Sequence, residues 1–262
     1  MALSDEQLDR YARHIILHDV GGVGQQKLMS ARVLVIGAGG LGAPALMYLA
    51  AAGVGAGRAA QTDKPEGALG VVDFDRVDLS NLQRQIIHTT PNIGKLKTQS
   101  AQDMIEALNP DVNVVCHEEK LTAENAAQII EGYDLVADGT DSFETRFLVN
   151  EACVKTATPL VSAAVGQFDG QIATFKGHEA DMPCYRCFVH EAPPEGAAPS
   201  CAEAGVLGAL TGVLGSLQAL EVMKEILGIG DSLAGRLMIY DGLGANVRTV
   251  RLPKDPDCPC CQ

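Results

Sequence analysis

The chain has 262 residues, 47% apolar and 20% charged, which excludes a disordered polymer and is ample for a buried core. Aromatics are only 4%, Trp is absent and Gly numbers 28, a composition that suits closely packed α/β units with backbone-lined ligand loops. A net charge of −13 argues against nucleic acid or an anionic membrane as the partner of the whole chain, because phosphate repels it.

The chain opens on Met1-Ala-Leu-Ser-Asp-Glu6, acidic where a targeting segment is basic, so a soluble cytoplasmic protein is expected. Ser4-Asp-Glu-Gln7 has the form of a capping box. Leu8, Tyr11 and Ile15 follow at helical spacing and predict a first helix, with Arg10, Arg13 and His14 on a solvated face. Val33 to Gly57 carries no charge over 25 residues, but its seven Gly and Pro44 favour strand, turn and helix over a membrane span. Ala204 to Leu220, at 17 residues, is short for one.

Arg32-Val-Leu-Val-Ile-Gly37 is predicted as a buried strand that runs into Gly37-Ala-Gly-Gly-Leu-Gly42 and a helix ending near Gly53. Val54 to Gly70 reads as a loop. A second strand over 69–74 ends in Asp73-Phe-Asp75. A helix follows over about 95–108, with Pro110 as its stop. Then come a strand at 112–116, a helix at 122–131 and a strand from Leu135 into Asp138-Gly-Thr-Asp141. This alternation implies a parallel, right-handed, doubly wound sheet. Further strands are expected at 159–165, 171–176, 236–240 and 247–252, with one long helical run at 206–227 and a long mobile loop at 177–200. The expected fold is one α/β domain over 1–262: a Rossmann-like doubly wound sheet, mostly parallel with antiparallel C-terminal strands. Its nucleotide-binding half is about 31–145.

Gly37-x-Gly39-x-x-Gly42 lets the backbone approach a phosphate at a helix N-terminus. The bland alternative is tight strand–helix packing, and the motif alone does not separate NAD, FAD and ATP. Asp73, 31 residues beyond Gly42, is a ribose-hydroxyl candidate or else a turn acid. Ser80-Asn-Leu-Gln-Arg84 and Gly94-Lys-Leu-Lys97 place Arg84, Lys95 and Lys97 at the same end of the sheet. Clustered cations suit a departing pyrophosphate better than hydride transfer. Asp138 and Asp141 are candidate carboxylates for Mg²⁺.

Eight cysteines include two C-x-x-C pairs, Cys184/Cys187 and Cys258/Cys261, which suit a closed tetrahedral Zn²⁺ site that pins the C-terminus to the long loop. Disulfides and a redox pair are the alternatives, and Cys260 is set aside for its spacing. Cys201, beside a helix start, is either a nucleophilic thiol or a passive small residue. Cys116 and Cys153 read as packing.

Together Tyr11-x-Arg-x-Ile-Ile-Leu17, Gly37-x-Gly-Gly-Leu-Gly42, Asp73-Phe-Asp75, Leu79-Ser-Asn-Leu-Gln-Arg-Gln85, Pro183-Cys-Tyr-Arg-Cys187, Ala204-Gly-Val206 and the terminal C-x-x-C resemble the ubiquitin-activating-enzyme-like adenylyltransferases of molybdopterin and thiamine biosynthesis, most closely the molybdopterin-synthase adenylyltransferase type. The resemblance spans nearly the whole chain. It implies that ATP and Mg²⁺ bind at the carboxyl end of the sheet, and that the C-terminal Gly-Gly carboxylate of a ubiquitin-like sulfur carrier attacks the α-phosphate. An acyl-adenylate and pyrophosphate result, ready for thiocarboxylation. It further implies that Gly40 lines the phosphates and Asp73 holds ribose. Ser80, Asn81, Arg84 and Lys97 lie at the ATP, and Asp141 organises Mg²⁺. Arg13 reaches into the partner's site of a homodimer, Cys184, Cys187, Cys258 and Cys261 hold zinc, and Cys201 matches a cysteine that some members use for covalent sulfur transfer. Residues of about 146–262 become the carrier- and zinc-binding half.

Two departures stand out: Gly139-Thr-Asp-Ser142 where the family has Cys-Thr-Asp-Asn, and an insertion between Gly57 and Leu69 expected to disturb strand two or the adenine side. The chain stops at the zinc motif, so the sulfur donor, a rhodanese or cysteine desulfurase, is expected to be a separate protein. The competing readings are a sister enzyme of the thiamine or a tRNA/cysteine pathway, a NAD-dependent oxidoreductase, and an inactive carrier-binding scaffold.

Overall fold

Arg32–Ile36 sends its side chains alternately into two apolar layers. Val33 and Val35 join Leu46, Leu49 and Leu214, whereas Leu34 and Ile36 join Ile130 and Val149. A strand covered on both faces carries no polar side, which is why it reads as an unbroken apolar run. The computed structural model describes residues 3–58, 66–194 and 204–262.

The strands are β1 (Arg32–Ile36), β2 (Ala68–Val72), β3 (Val114–His117), β4 (Leu135–Asp138), β5 (Leu160–Val165), β6 (Asp169–Phe175), β7 (Arg236–Asp241) and β8 (Asn246–Arg251). They form one sheet in the order β3-β2-β1-β4-β5-β6-β7-β8. The first five pair in parallel, with Val33 opposite both Leu69 and Leu135, and β6, β7 and β8 are added antiparallel. The mixed sheet matches the expected fold class.

The helices are α1 (Asp5–Arg10), α2 (Ala12–Ile15), α3 (Gly21–Ser30), α4 (Gly42–Ala51), α5 (Lys97–Leu108), α6 (Ala126–Ile130), α7 (Phe143–Thr156), α8 (Tyr185–Phe188) and α9 (Gly208–Leu227). The core residues of α3, α4, α5 and α9 belong to one layer and those of α6, α7 and α8 to the other. No described helix is long and apolar enough to cross a membrane.

The structure corrects several sequence-based expectations. The first helix breaks at Tyr11, whose buried ring sits over Gly53 and whose hydroxyl accepts from Asn109 Nδ2 at 2.9 Å. Its cations are not a purely solvated face. Arg10 donates to Leu108 O at 3.0 Å, and the His14 ring meets Gln25 Oε1 at 3.1 Å. Helices α3 and α7 carry no sequence signal strong enough to be assigned beforehand. The segment expected as a mobile loop contains α8, and its residues 195–200 lie outside the described ones. The insertion leaves β2 undisturbed: the strand is buried throughout and pairs with β1 from Arg32↔Ala68 to Ile36↔Val72. Its described ends are pinned by Gly57 N–H to Met29 O at 2.7 Å and Glu66 N–H to Gly57 O at 2.8 Å.

Candidate active site

Strand order turns at β1, with β2 on one side and β4 on the other, and open parallel sheets bind ligands in the crevice this leaves at the carboxyl ends. A cavity of about 1060 Å³ lies there. Its inner wall is the loop from Gly37 to Leu41. Gly37 adopts φ +91°, and a Cβ on Gly42 would stand 1.7 Å from Gly37 O, so the turn admits no side chain at that point. Thr211 of α9 packs against Gly40, where a Cβ would meet it at 3.1 Å. The loop therefore offers backbone rather than side chain to the cavity, as a phosphate site requires.

Asp73 and Lys97 face each other at one side of this loop. Asp73 accepts from Ala38 N–H and from Asp75 N–H, both at 2.9 Å. Burial pushes its carboxyl above the usual range, while the Lys97 charge and the two N–H donors pull it back. Lys97 opens α5. Its backbone N–H donates to Asp75 O at 2.9 Å and its Nζ to Asp75 Oδ2 at 2.8 Å, with Asp73 Oδ2 at 3.9 Å. The backbone bond turns the chain so that the ammonium enters the cavity.

Arg84 lines the same cavity, braced by its own bond to Ser80 O at 3.1 Å. Ser80 and Asn81, expected at the nucleotide, do not line it. Ser80 N–H and hydroxyl both donate to Asp78 Oδ1, and Asn81 Oδ1 accepts Asp78 N–H at 3.1 Å. This reciprocal cap fixes a short 3₁₀ turn and commits both side chains.

At the end of β4 the two acids separate. Asp141 lines the cavity and is exposed. Asp138 is fully buried and turned away: Thr140 N–H and hydroxyl donate to Oδ1 at 2.9 and 2.7 Å, and Ser162 hydroxyl to Oδ2 at 3.4 Å. The paired-carboxylate expectation is thus corrected to one facing carboxylate, which still fits a Mg²⁺ ion that shares its shell with phosphate oxygens. Arg13 is exposed on α2 and does not line the cavity of its own chain. Cys201 lies outside the described residues.

Several lining residues escaped sequence reasoning. Gln85 is buried, with Oε1 unpartnered among the described residues. Its place in the Leu79–Gln85 motif was the available signal. Arg146 of α7 is 7% exposed, with Nη2 donating to Thr140 O and, at 3.0 Å, to Ala163 O. Tyr185, Phe188, Gly166 and Gln171 line the end toward the antiparallel strands. Tyr185 sits inside the Pro183–Cys187 motif, whereas Arg146, Phe188, Gly166 and Gln171 had no local pattern to announce them, because they converge from distant segments.

The four C-x-x-C sulfurs converge as a separate cluster. Cys184, Cys187, Cys258 and Cys261 Sγ atoms all lie within 4.8 Å of one another, with Cys184–Cys258 at 3.6 Å and Cys187–Cys261 at 3.5 Å. A tetrahedral Zn–S₄ site with bonds of about 2.3 Å has edges of about 3.8 Å, whereas a disulfide needs about 2.05 Å. The Cys260 thiol, first among several hydrogen-bond partners, holds the Cys184 thiol down at about 4. Burial is the first cause that pushes Cys187 and Cys261 up; the Cys187 thiol comes next for Cys261, and the Cys184 charge adds to both. Four crowded sulfurs become thiolates together only around a cation, and the set fits zinc.

Similarity to known proteins agrees with this geometry. The chain is 49% identical to the sulfur carrier protein adenylyltransferase of Thermus thermophilus over 264 residues, covering 100% of this chain and 93% of that one. It is 48% identical to the probable adenylyltransferase/sulfurtransferase MoeZ of Mycobacterium tuberculosis, covering 98% of this chain and 63% of the relative. With the SAMP-activating enzyme E1 of Haloferax volcanii it shares 46% identity over 100% of this chain and 91% of the relative. Among solved structures, E. coli MccB with ATP shares the fold, with a TM-score of 0.78 over 97% of this chain and 74% of that one at 20% identity. The ThiF family profile matches residues 11–260. By its sequence, its sheet and the residues gathered at the strand ends, the chain belongs to the ThiF family.

Proposed function

We propose that this protein is an ATP-dependent adenylyltransferase that acts on a ubiquitin-like sulfur carrier of the molybdopterin-synthase small-subunit type. One observation carries the reading. A single strand-end cavity joins the Gly37–Leu41 loop, Arg84, Lys97 and Asp141, in a chain 49% identical to a sulfur carrier protein adenylyltransferase. Residues 31–145 form the nucleotide half and 146–262 the carrier and zinc half.

The loop N–H groups, Arg84 and Lys97 face the polyphosphate, and Asp73 takes the ribose hydroxyls. Asp141 holds Mg²⁺, which when bound offsets charge on the phosphate oxygens. The carrier tail enters past Gly166 and Tyr185. Its terminal carboxylate oxygen forms a bond to the α-phosphorus while the bond to pyrophosphate breaks, and Lys97 and Arg84 stabilise the departing charge. AMP then makes the glycine carbonyl a competent electrophile for sulfur.

Cys184, Cys187, Cys258 and Cys261 hold a structural Zn²⁺ that ties the C-terminal tail to α8. The protein acts as a homodimer in which Arg13, exposed and outside its own cavity, completes the partner's site. Sulfur comes from a separate rhodanese or cysteine desulfurase. Cys201 is the candidate thiol for covalent transfer. The protein works in the cytoplasm, where a reducing milieu keeps thiols available to a metal.

The test is pyrophosphate exchange into ATP with a panel of purified carriers. Exchange is expected only with a carrier that ends in Gly-Gly, strongest with the molybdopterin-synthase type. Preference for the thiamine-pathway carrier would reassign the pathway and keep the chemistry. Tight NAD binding without ATP binding, or no exchange with any carrier, would overturn the reading.

A further inference from the structure

We propose that His88 is the positioning residue that holds the glycine loop in its phosphate-accepting form and locks it to the helix that carries Lys97. This deepens the adenylylation reading and rests on it for the role of the loop. His88 is 5% exposed, behind the cavity wall, and touches two elements. Its Nε2 lies 2.9 Å from Ala38 O, the carbonyl between the first two glycines of the loop, and its Nδ1 lies 2.9 Å from Ser100 Oγ on α5.

The tautomer follows from these partners. A carbonyl oxygen only accepts, so Nε2 carries the proton, and the Nδ1 lone pair accepts from the Ser100 hydroxyl. The ring is neutral in this arrangement, and burial favours that form.

A trans peptide points its C=O and N–H in opposite directions. By drawing Ala38 O inward, His88 turns Gly39 N–H outward, toward the cavity that Gly39 lines. Asp73 holds the preceding N–H of Ala38 at 2.9 Å. The Ala38 peptide groups are therefore clamped on both sides. Without the imidazole donor this peptide is free to rotate, which presents a carbonyl dipole to the polyphosphate and removes an N–H from it.

The clamp also closes a ring of contacts. Asp73 holds Ala38, Ala38 is held by His88, and His88 is bonded to Ser100. Ser100 lies one turn along α5 from Lys97, and Lys97 returns to Asp73 and Asp75. Loop and ammonium are thus set as one unit against the phosphates.

The test uses the full-length protein and two readouts: binding of a non-hydrolysable ATP analogue without carrier, and KM values in carrier-dependent exchange. His88→Phe keeps the bulk and removes the donor, and is expected to weaken analogue binding and raise KM for ATP about tenfold, with KM for carrier moved less than about twofold. His88→Gln, whose amide can donate to Ala38 O, is expected to recover most of the loss. Should His88→Phe fail to fold, Ser100→Ala decides, with an expected weakening of about threefold in the same direction. Unchanged analogue affinity, or ATP and carrier KM values that rise in parallel, would overturn the proposal. Analogue binding needs no carrier, so a wild-type protein that binds the analogue yet activates no carrier would sink the adenylylation reading and leave this clamp standing.

Discussion

Lys97 Nζ is bonded to Asp75 at 2.8 Å and sits 3.9 Å from Asp73, with the lysine side chain 9% exposed and that of Asp75 53% exposed. The ammonium is desolvated while one of its carboxylate partners stays half in water. A polyphosphate bound in the cavity, as proposed, would compete directly for this charge. Lys97→Ala is expected to lower kcat for pyrophosphate exchange by about 10²–10³-fold, the scale of one lost donor to developing charge. Near wild-type turnover would remove Lys97 from the chemistry.

Arg146 fastens the turn that bears Asp141, through its bonds to Thr140 O and Ala163 O. Removal takes this donor from a part-buried and a buried carbonyl. Arg146→Ala is expected to cost about 2–3 kcal/mol in urea denaturation and to lower activity as Asp141 loses its footing. Full activity with reduced stability would limit the arginine to a packing role.

Metal removal has a defined expectation. Chelation, or Cys258→Ser, is expected to release one Zn²⁺ per chain and to lower Tm by about 10 °C or more. Metal content and melting measured on the same sample check this. A protein that melts unchanged after its metal is stripped would refute a structural role.

Two histidines, His88 buried and His117 half-buried, set a pH dependence. Burial holds both His88 and His117 below the ordinary imidazole value of 6.5. The unfolded chain then binds more protons than the folded one as pH falls below that value, so the stability present above it is lost toward acid. The loss levels off once the folded groups also titrate. The His88→Gln protein is expected to lose less stability than wild type between about pH 7 and about pH 5. Asp73, raised by burial, contributes with the opposite sign, and the difference between the two proteins cancels it. Parallel stability curves would clear His88 as a source.

Legibility in the sequence followed how evenly each element is covered. Arg32–Ile36 and Leu135–Asp138 are buried on both faces and read directly as apolar runs. Helix α5 buries one face and shows helical spacing. Helix α7 was hidden because it buries Arg146 and Asn150 beside Val149 and Cys153, which erases the apolar stripe. Helix α3 was hidden by Gly21, Gly22 and Gly24 and a buried Gln25. In the cavity, Arg84, Lys97 and Asp141 were named from charge at strand ends. Ser80 and Asn81 bond Asp78 in this structure, a local competition that spacing alone does not reveal. Gln85 and Tyr185 sat unremarked inside quoted motifs, whereas Arg146 and Gln171 depend on long-range convergence.

The cysteine cluster has a consequence for the cell. Cys184 and Cys187 bracket Tyr185, which lines the substrate cavity, and their counterparts lie beyond α9, β7 and β8. One ion held by the four sulfurs would close the intervening segment into a loop. On the proposed zinc reading, loss of that ion would free the C-terminal tail from α8 and loosen the antiparallel strands and the mouth of the cavity together.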